Sequence, residues 1–286
     1  MIELYTHKVM TSFCMWFDHT LLQKGQAFSN QTTPLYYRAD DRTEGVFTTY
    51  SSPFKQWVSD SSVDNAVVAS GITTSAGFIP RGVSGLMLDF ENGRALLNPN
   101  IPETETITAS YSVKDFNIYM TEDNEQKLIF EKLFNLNSRY GNIEPSGVPP
   151  YEYVLPACFI MQNTSNNTPY AFGGEQDSQS KIRVIIMTDL GYHLDGCISI
   201  FRDLTESNIA LFSSQDSPIN EYGDLKSGSY NYLDLVNRNQ DERMLFITKV
   251  TSSKIVNVSE RRNFPNIKFG ILDFYLSEPR VPKQDL

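Results

Sequence analysis

Leu86-Met-Leu-Asp-Phe-Glu91, followed by Asn92-Gly93 and then by Arg94-Ala-Leu-Leu97, is the stretch on which the fold turns. Leu86, Leu88 and Phe90 alternate with Met87, Asp89 and Glu91. Successive side chains of a strand point to opposite faces, so the pattern predicts one buried face and one largely wet face. Asn-Gly supplies two residues that tolerate positive φ, as a tight type I′ hairpin requires. Arg94 to Leu97 then returns as the second strand. Thr106-Ile-Thr-Ala-Ser-Tyr-Ser-Val113 alternates in the same way and is expected to extend the pair into an antiparallel meander.

Outward from this hairpin a period of two runs from about Leu35 to Met120 and marks a β-rich subdomain at about 35–120. Before it, Val9, Phe13, Trp16, Phe17 and Leu21 recur with helical spacing. They predict a helix from about Lys8 to Gln23 that ends near Gly25 and docks an aromatic face on a sheet. A second helix is predicted from Glu122 to about Asn135, with Thr121 as N-cap, Glu122 and Asp123 at the positive end of the dipole, and an apolar stripe of Leu128, Ile129, Leu133 and Leu136. Asn137 to Tyr151 carries Gly141, Pro145, Gly147, Pro149 and Pro150, the composition of a long loop or a boundary between subdomains.

The C-terminal half alternates again. Tyr153 to Met161 and Lys181 to Thr188 read as strands, the second central because Ile182, Val184, Ile185, Ile186 and Met187 form an almost unbroken apolar run. Asn163 to Ser180, polar and containing Gly173-Gly174, reads as a mobile excursion. Leu194, Ile198 and Phe201 fit a short helix, Met244 to Val250 and Ile267 to Leu276 further strands, and Pro279 to Leu286 an extended arm. The expected class is α+β: a mostly antiparallel, β-sandwich-like sheet body with about three packed helices and extended arms. It forms one structural unit over 1–286, whose second sheet-and-helix half occupies about 150–286.

With 24 basic and 34 acidic residues the formal net charge is −10. Affinity for phosphates comes mainly from Lys and Arg, so this balance argues against a dedicated nucleic-acid clamp. It is compatible with a wall past which DNA slides without sticking. The content of 18 Phe and 15 Tyr, with 20% charged residues, is that of a folding chain and not of a disordered one. Apolar runs such as Cys14 to Phe17 and Val184 to Met187 fall far short of the roughly 20 residues that a membrane span needs, so none is expected. Met1 to Lys8 has no positive n-region ahead of an apolar run, and no signal peptide is expected. Cys14, Cys158 and Cys197 are odd in number and far apart, and read as small buried residues in a reducing compartment.

Residues that carry chemistry are sparse. His7, Cys14 and His19 lie at spacings of seven and five around the first helix, which do not converge on a metal as two histidines at i, i+4 do. Ser84, in Arg81-Gly-Val-Ser84-Gly85, lacks the spacing of a nucleophile elbow and precedes a strand where a helix should follow. No glycine-rich phosphate loop is present. Asp40-Asp41 and Glu122-Asp123 read as caps or solvated faces before they read as catalytic carboxylates. Asp189, His193 and Asp195 follow the best central strand and form the one candidate acid–base cluster, although an Asx-type turn explains them more simply. No catalytic, cofactor-binding or metal-binding residue is assigned. Tyr36, Tyr37, Trp57, Tyr230 and Tyr232 would form a glycan platform if exposed, and are expected mostly in the core.

Phe78 to Leu97, continuing through Tyr111-Ser-Val-Lys-Asp-Phe-Asn-Ile-Tyr119, resembles the β-rich portion of virion structural proteins of tailed bacteriophages, in particular proteins of the neck where head meets tail. The second half, with Ile182 to Asp189 followed by Leu194 to Asp203, is similar in organisation to these proteins and to tail terminators. The resemblance covers about 40% of the chain as a general texture, without an invariant motif. It implies a non-enzymatic scaffold: a homo-oligomeric ring in the virion, assembled in the host bacterial cytoplasm, touching connector, tail-tube or sheath proteins, with genome DNA only as passing cargo. A tail-tip or baseplate protein that recognises the host is the alternative, and a hydrolase built on Asp189 and His193 a more remote one.

Overall fold

A computed structural model describes residues 4–39, 45–98, 102, 104–131, 134–136, 153–171, 174–239, 243–255 and 267–281. Helix α1 (Tyr5–Gly25) leads into strands β1 (Phe28–Tyr37), β2 (Thr48–Ser51), β3 (Gly71–Thr74), β4 (Gly77–Pro80), β5 (Met87–Asp89), β6 (Arg94–Leu97) and β7 (Ile107–Lys114). These form a seven-stranded sheet in the order β4-β3-β7-β1-β2-β6-β5. Strand β8 (Asn117–Met120) crosses to a second sheet with β11 (Ala157–Pro169), β12 (Gln176–Thr188), β13 (Asn208–Ala210), β14 (Met244–Ile255) and β15 (Lys268–Arg280). Its order is β13-β14-β15-β12-β11-β8, with β8 parallel to β11 and the other neighbours antiparallel. A small parallel pair, β9 (Phe134–Leu136) and β10 (Tyr153–Leu155), lies beside it, and helices α2 (Gly191–Arg202) and α3 (Tyr232–Arg238) complete the α+β architecture.

The aromatic face of α1 docks on the second sheet. Phe17 stacks on Phe201 of α2 at 4.0 Å, and Phe13 meets the edge of Phe274 in β15 at 5.0 Å. These rings belong to one core with Ile182, Val184, Ile186 and Leu272. The left-handed residue that ends α1 is Gln26, not Gly25. A Cβ on Gly25 would lie 2.8 Å from Ile200 Cδ1, so this glycine lets α1 and α2 approach. As its apolar run predicts, β12 is interior, and its other face packs in a separate core with Leu128, Phe134, Phe159 and Phe269. The first sheet has its own core around Trp57, Leu88 and Tyr111.

The central hairpin exists but is built differently from the expectation. Asp89 pairs with Arg94, leaving a four-residue connection in which only Gly93 has positive φ (64°). The connection is not a tight I′ turn because Asp89 organises it: Oδ1 accepts the N–H groups of Glu91 and Asn92, and Phe90 turns inward to bond Gly223 and Trp57 through its backbone. Of the face expected to be largely wet, Glu91 is exposed and Met87 half-buried, but Asp89 is buried, as is its partner Arg94. Nor does β7 extend this pair. It runs beside β1 over eight positions, Phe28↔Lys114 to Leu35↔Ile107, and β2 is the neighbour of β6. The eight-residue register with β1 supplies more ladder bonds than the four-residue β6 can offer.

Two further expectations are corrected. In place of a helix over 122–135 there is a short helical turn at 125–131, mostly of π type (Lys127–Glu131), followed by strand β9. Asn124 caps it through Lys127 N–H, while Thr121 serves only Asp123 N–H. A continued helix would carry Phe134 away from Phe159, which it now meets at 5.6 Å. The supposed excursion 163–180 is strand for most of its length, since β11 and β12 pair from Ala157↔Met187 out to Pro169↔Gln176. Asn137 to Tyr151 and the last residues of the expected arm, 282–286, lie outside the described residues.

Candidate functional site

The segment 52–60 bolts the two sheets together. Gln56 donates to Ile118 O and accepts from Ile118 N–H, and Trp57 stacks on Tyr111 at 4.2 Å. At its end Asp60 Oδ2 lies 2.7 Å from His19 Nδ1 on α1, and Oδ1 accepts the backbone N–H groups of Ser62 and Tyr232 and the Ser62 hydroxyl. Burial alone would push this carboxyl up; the bonds from His19, Ser62 and Tyr232 outweigh it, and the net effect is a lowered pKa. An ionised Asp60 makes His19 Nδ1 the proton-bearing nitrogen. This network is structural: it ties the first sheet to α1 and α3.

Beside it a cleft of about 550 Å³ opens between the sheets, lined among others by Asp18, Lys55, Lys114 and Tyr119. Asp18 Oδ2 accepts from Lys114 Nζ at 2.8 Å, and Lys55 Nζ sits 5.6 Å from the Tyr119 ring centre. Cys14 also lines it, but burial, and secondarily Asp18, pushes its thiol up to about 12, so no thiolate nucleophile is offered.

The other candidates are dispersed. His7 Nδ1 accepts Leu4 N–H, and among the described residues no group of three His, Cys, Asp or Glu is placed to hold a metal ion. Ser84 sits with φ 55° in an exposed turn between β4 and β5. Asp40-Asp41 fall outside the described residues, and Asp123 pairs with Lys127. Asp189 contacts the Thr188 hydroxyl, Asp195 pairs with Lys254, and His193 lies edge-on to Phe116 with its buried Nδ1 unpartnered among the described residues. Trp57 and Tyr232 are core residues at 1% and 4% exposure, which removes the centre of any aromatic platform.

What stands out instead is the distal half of the second sheet. Residues 163–170 are all exposed, yet the ladder continues through them. Side chains lace it across strands: Asn167 Oδ1 accepts from Ser178, Ser178 Oγ from Arg280, and Asp177 from Ser277. Its far end is clamped to the start of α1: Arg280, level with Gln176 and Pro169, lies 3.7 Å over the Tyr5 ring, and Arg243 pairs with buried Glu278. The sequence hid this ribbon because its β11 part, Asn163 to Pro169, carries no hydrophobic alternation. The His19–Asp60 bond, across 41 positions, has no local signal either.

No protein-family model matches the chain. No curated protein matches it significantly. No helix among the described residues is long and apolar enough to cross a membrane.

Proposed function

We propose that this chain is a non-enzymatic structural subunit of a tailed-bacteriophage virion. It forms a homo-oligomeric ring at the neck, is assembled in the bacterial cytoplasm, and bridges the connector to the tail. The observation that carries this reading is the polar ribbon, in which β11 stays paired with β12 through exposed residues 163–169 that leave the apolar core. Ordering backbone costs roughly 1–2 kcal/mol per residue, and here little apolar burial offsets it. A neighbouring subunit that adds a strand or packs on the ribbon supplies that missing contact. The net charge of −10 supports a role beside DNA as passing cargo, since an acidic wall repels phosphates.

The test is immunogold electron microscopy of phage particles with antibody raised against this chain, paired with a blot of denatured particles. Gold at the head–tail junction is the expected result. Gold at the distal tail would transfer the assignment to a tail-tip or baseplate protein in host recognition. A chain absent from both intact and denatured particles would overturn the virion reading.

A further inference from the structure

Among the described residues, the second sheet leaves about two thirds of β11 and of β14 open, and the two open stretches are complementary. On one side β8 covers β11 only from Ala157 to Ile160, with a last bond from Thr121 N–H to Ile160 O. Among the described residues, Met161 to Pro169 carry ladder bonds on the β12 side alone. On the opposite side β13 and the residues before it cover β14 as far as Ile247, and among the described residues Thr248 to Ile255 pair with β15 alone. Each open stretch begins at a bulge, near Asn163 and near Thr248. A bulge bends a strand and sharpens its twist, swinging the open half away from the covered one. Unpaired edges of this length, roughly 25–30 Å at 3.3 Å per residue, are templates for strand addition.

We infer that two copies of this chain join head to tail, the Met161–Pro169 edge of one pairing antiparallel with the Thr248–Ile255 edge of the next. Three observations select this occupant. β11 and β14 run in opposite directions within the sheet, so a neighbour in the same orientation presents β14 antiparallel to β11, and the helix-covered faces fall on the same side. The Thr248–Ile255 edge carries Lys249 and Lys254 and no acid, whereas Met161–Pro169 is uncharged. Pairing β14 with β14 would gather four lysines, and like charges across strands repel; pairing with β11 gathers two. Aligned midpoint to midpoint, Lys249 of the second copy falls next to Thr168, whose other neighbour is Asp177.

The covering strands set the register. Through the ladders, Ser165 lies level with Ile247, while Thr251 lies level with Met161. The middles of the open edges are therefore offset by about four residues, roughly 13 Å along the strands. With that offset β8 of one copy passes below its neighbour's β14 and the neighbour's β13 passes above β11, so neither blocks the joint. Head-to-tail contacts that close give rings, and a ring accommodates such an offset by tilting its strands, as closed barrels do.

The proposal rests on the assembly reading above, and its test is independent of particle labelling. Backbone N–H groups alternate sides along a strand, so of two adjacent residues one points to the open edge. Asn166→Pro and Asn167→Pro are made for one edge, Thr251→Pro and Ser252→Pro for the other. In each pair the variant that keeps the native melting temperature is carried forward. Light scattering coupled to size exclusion on the full chain should show concentration-dependent assembly of the native protein. Each blocked variant alone should be a monomer, and a mixture of the two blocked variants should stop at a 1:1 dimer. Persistent assembly of either blocked variant, loss of assembly through one edge only, or a native chain that stays monomeric would overturn the edge joint. If blocked variants still assemble while gold marks the neck, the edge proposal fails and the virion assignment stands.

Discussion

The seven-stranded sheet ends in β4 and β5, strands of four and three residues, whereas the six-stranded sheet is built on strands of twelve and thirteen whose outer members are covered over only part of their length. Short edges are one way in which proteins discourage strand addition. The first sheet also closes inward, with Trp57, Asp89 and Arg94 all buried in or around its β5–β6 hairpin. The second keeps its apolar residues near one end and leaves the other polar and extended. The contrast teaches that one sheet closes over its own hairpin, whereas the other carries long strands that are only partly covered.

Each side of that contrast can be broken separately. Phe274→Ala should be the most damaging substitution, costing about 3–5 kcal/mol. Its ring meets Phe13, Trp16, Phe17 and Phe201 at 5.0–6.3 Å, and urea denaturation should register the loss as a lower midpoint. Gly93→Ala should come next, at about 3 kcal/mol from left-handed backbone and overpacking together. An added Cβ would meet Phe54 O at 2.1 Å. Near-ultraviolet dichroism of Trp57, which stacks beside this turn, is the readout that localises the damage to the first sheet.

A smaller effect is tied to pH. Burial pushes the Asp89 carboxyl up to about 6, against the opposing pull of the Asn92 donors and of Arg94. A group whose folded pKa is raised binds its proton more tightly in the native state, so its contribution is present below the unfolded pKa and is lost as pH rises through the folded one. Between about pH 4 and pH 6 this should remove roughly 2–3 kcal/mol. Asp60, with its lowered pKa, has the opposite slope and loses its contribution as pH falls. Comparing native protein with Asp89→Asn across that window isolates the first term: the variant should lack the decline. The smallest effect should come from the ribbon, where Asn166→Ala should shift stability by less than about 0.5 kcal/mol in the unassembled chain.

Where periodicity and local turn chemistry act, the sequence was readable. The aromatic spacing of α1, the apolar run of β12 and the alternation at Leu86–Phe90 all predict elements that exist. Pairing partners were not readable, because the choice of β1 over β6 as neighbour of β7 depends on ladder length between segments about eighty positions apart. The helix expected over 122–135 failed because Leu128 and Ile129 of the turn and Phe134 of β9 pack in one core on the same sheet face. At the candidate interface the residues themselves, Asn, Thr and Ser, give no hydrophobic signal; only the partial cover provided by β8 and β13 reveals an open edge.

β15 is the last of the described strands in the chain, yet it lies between β14 and β12. A ribosome releases the N-terminal helix first, and domains otherwise tend to fold in that order as they emerge. Here Phe13, Trp16 and Phe17 lack part of their cover until Phe274 has been made, and among the described strands β14 has no long partner before then. A message that ended shortly before this strand would yield a product with a lost core and an unjoined sheet. Synthesis of β15 is thus the step that joins β14 to the rest of the second sheet.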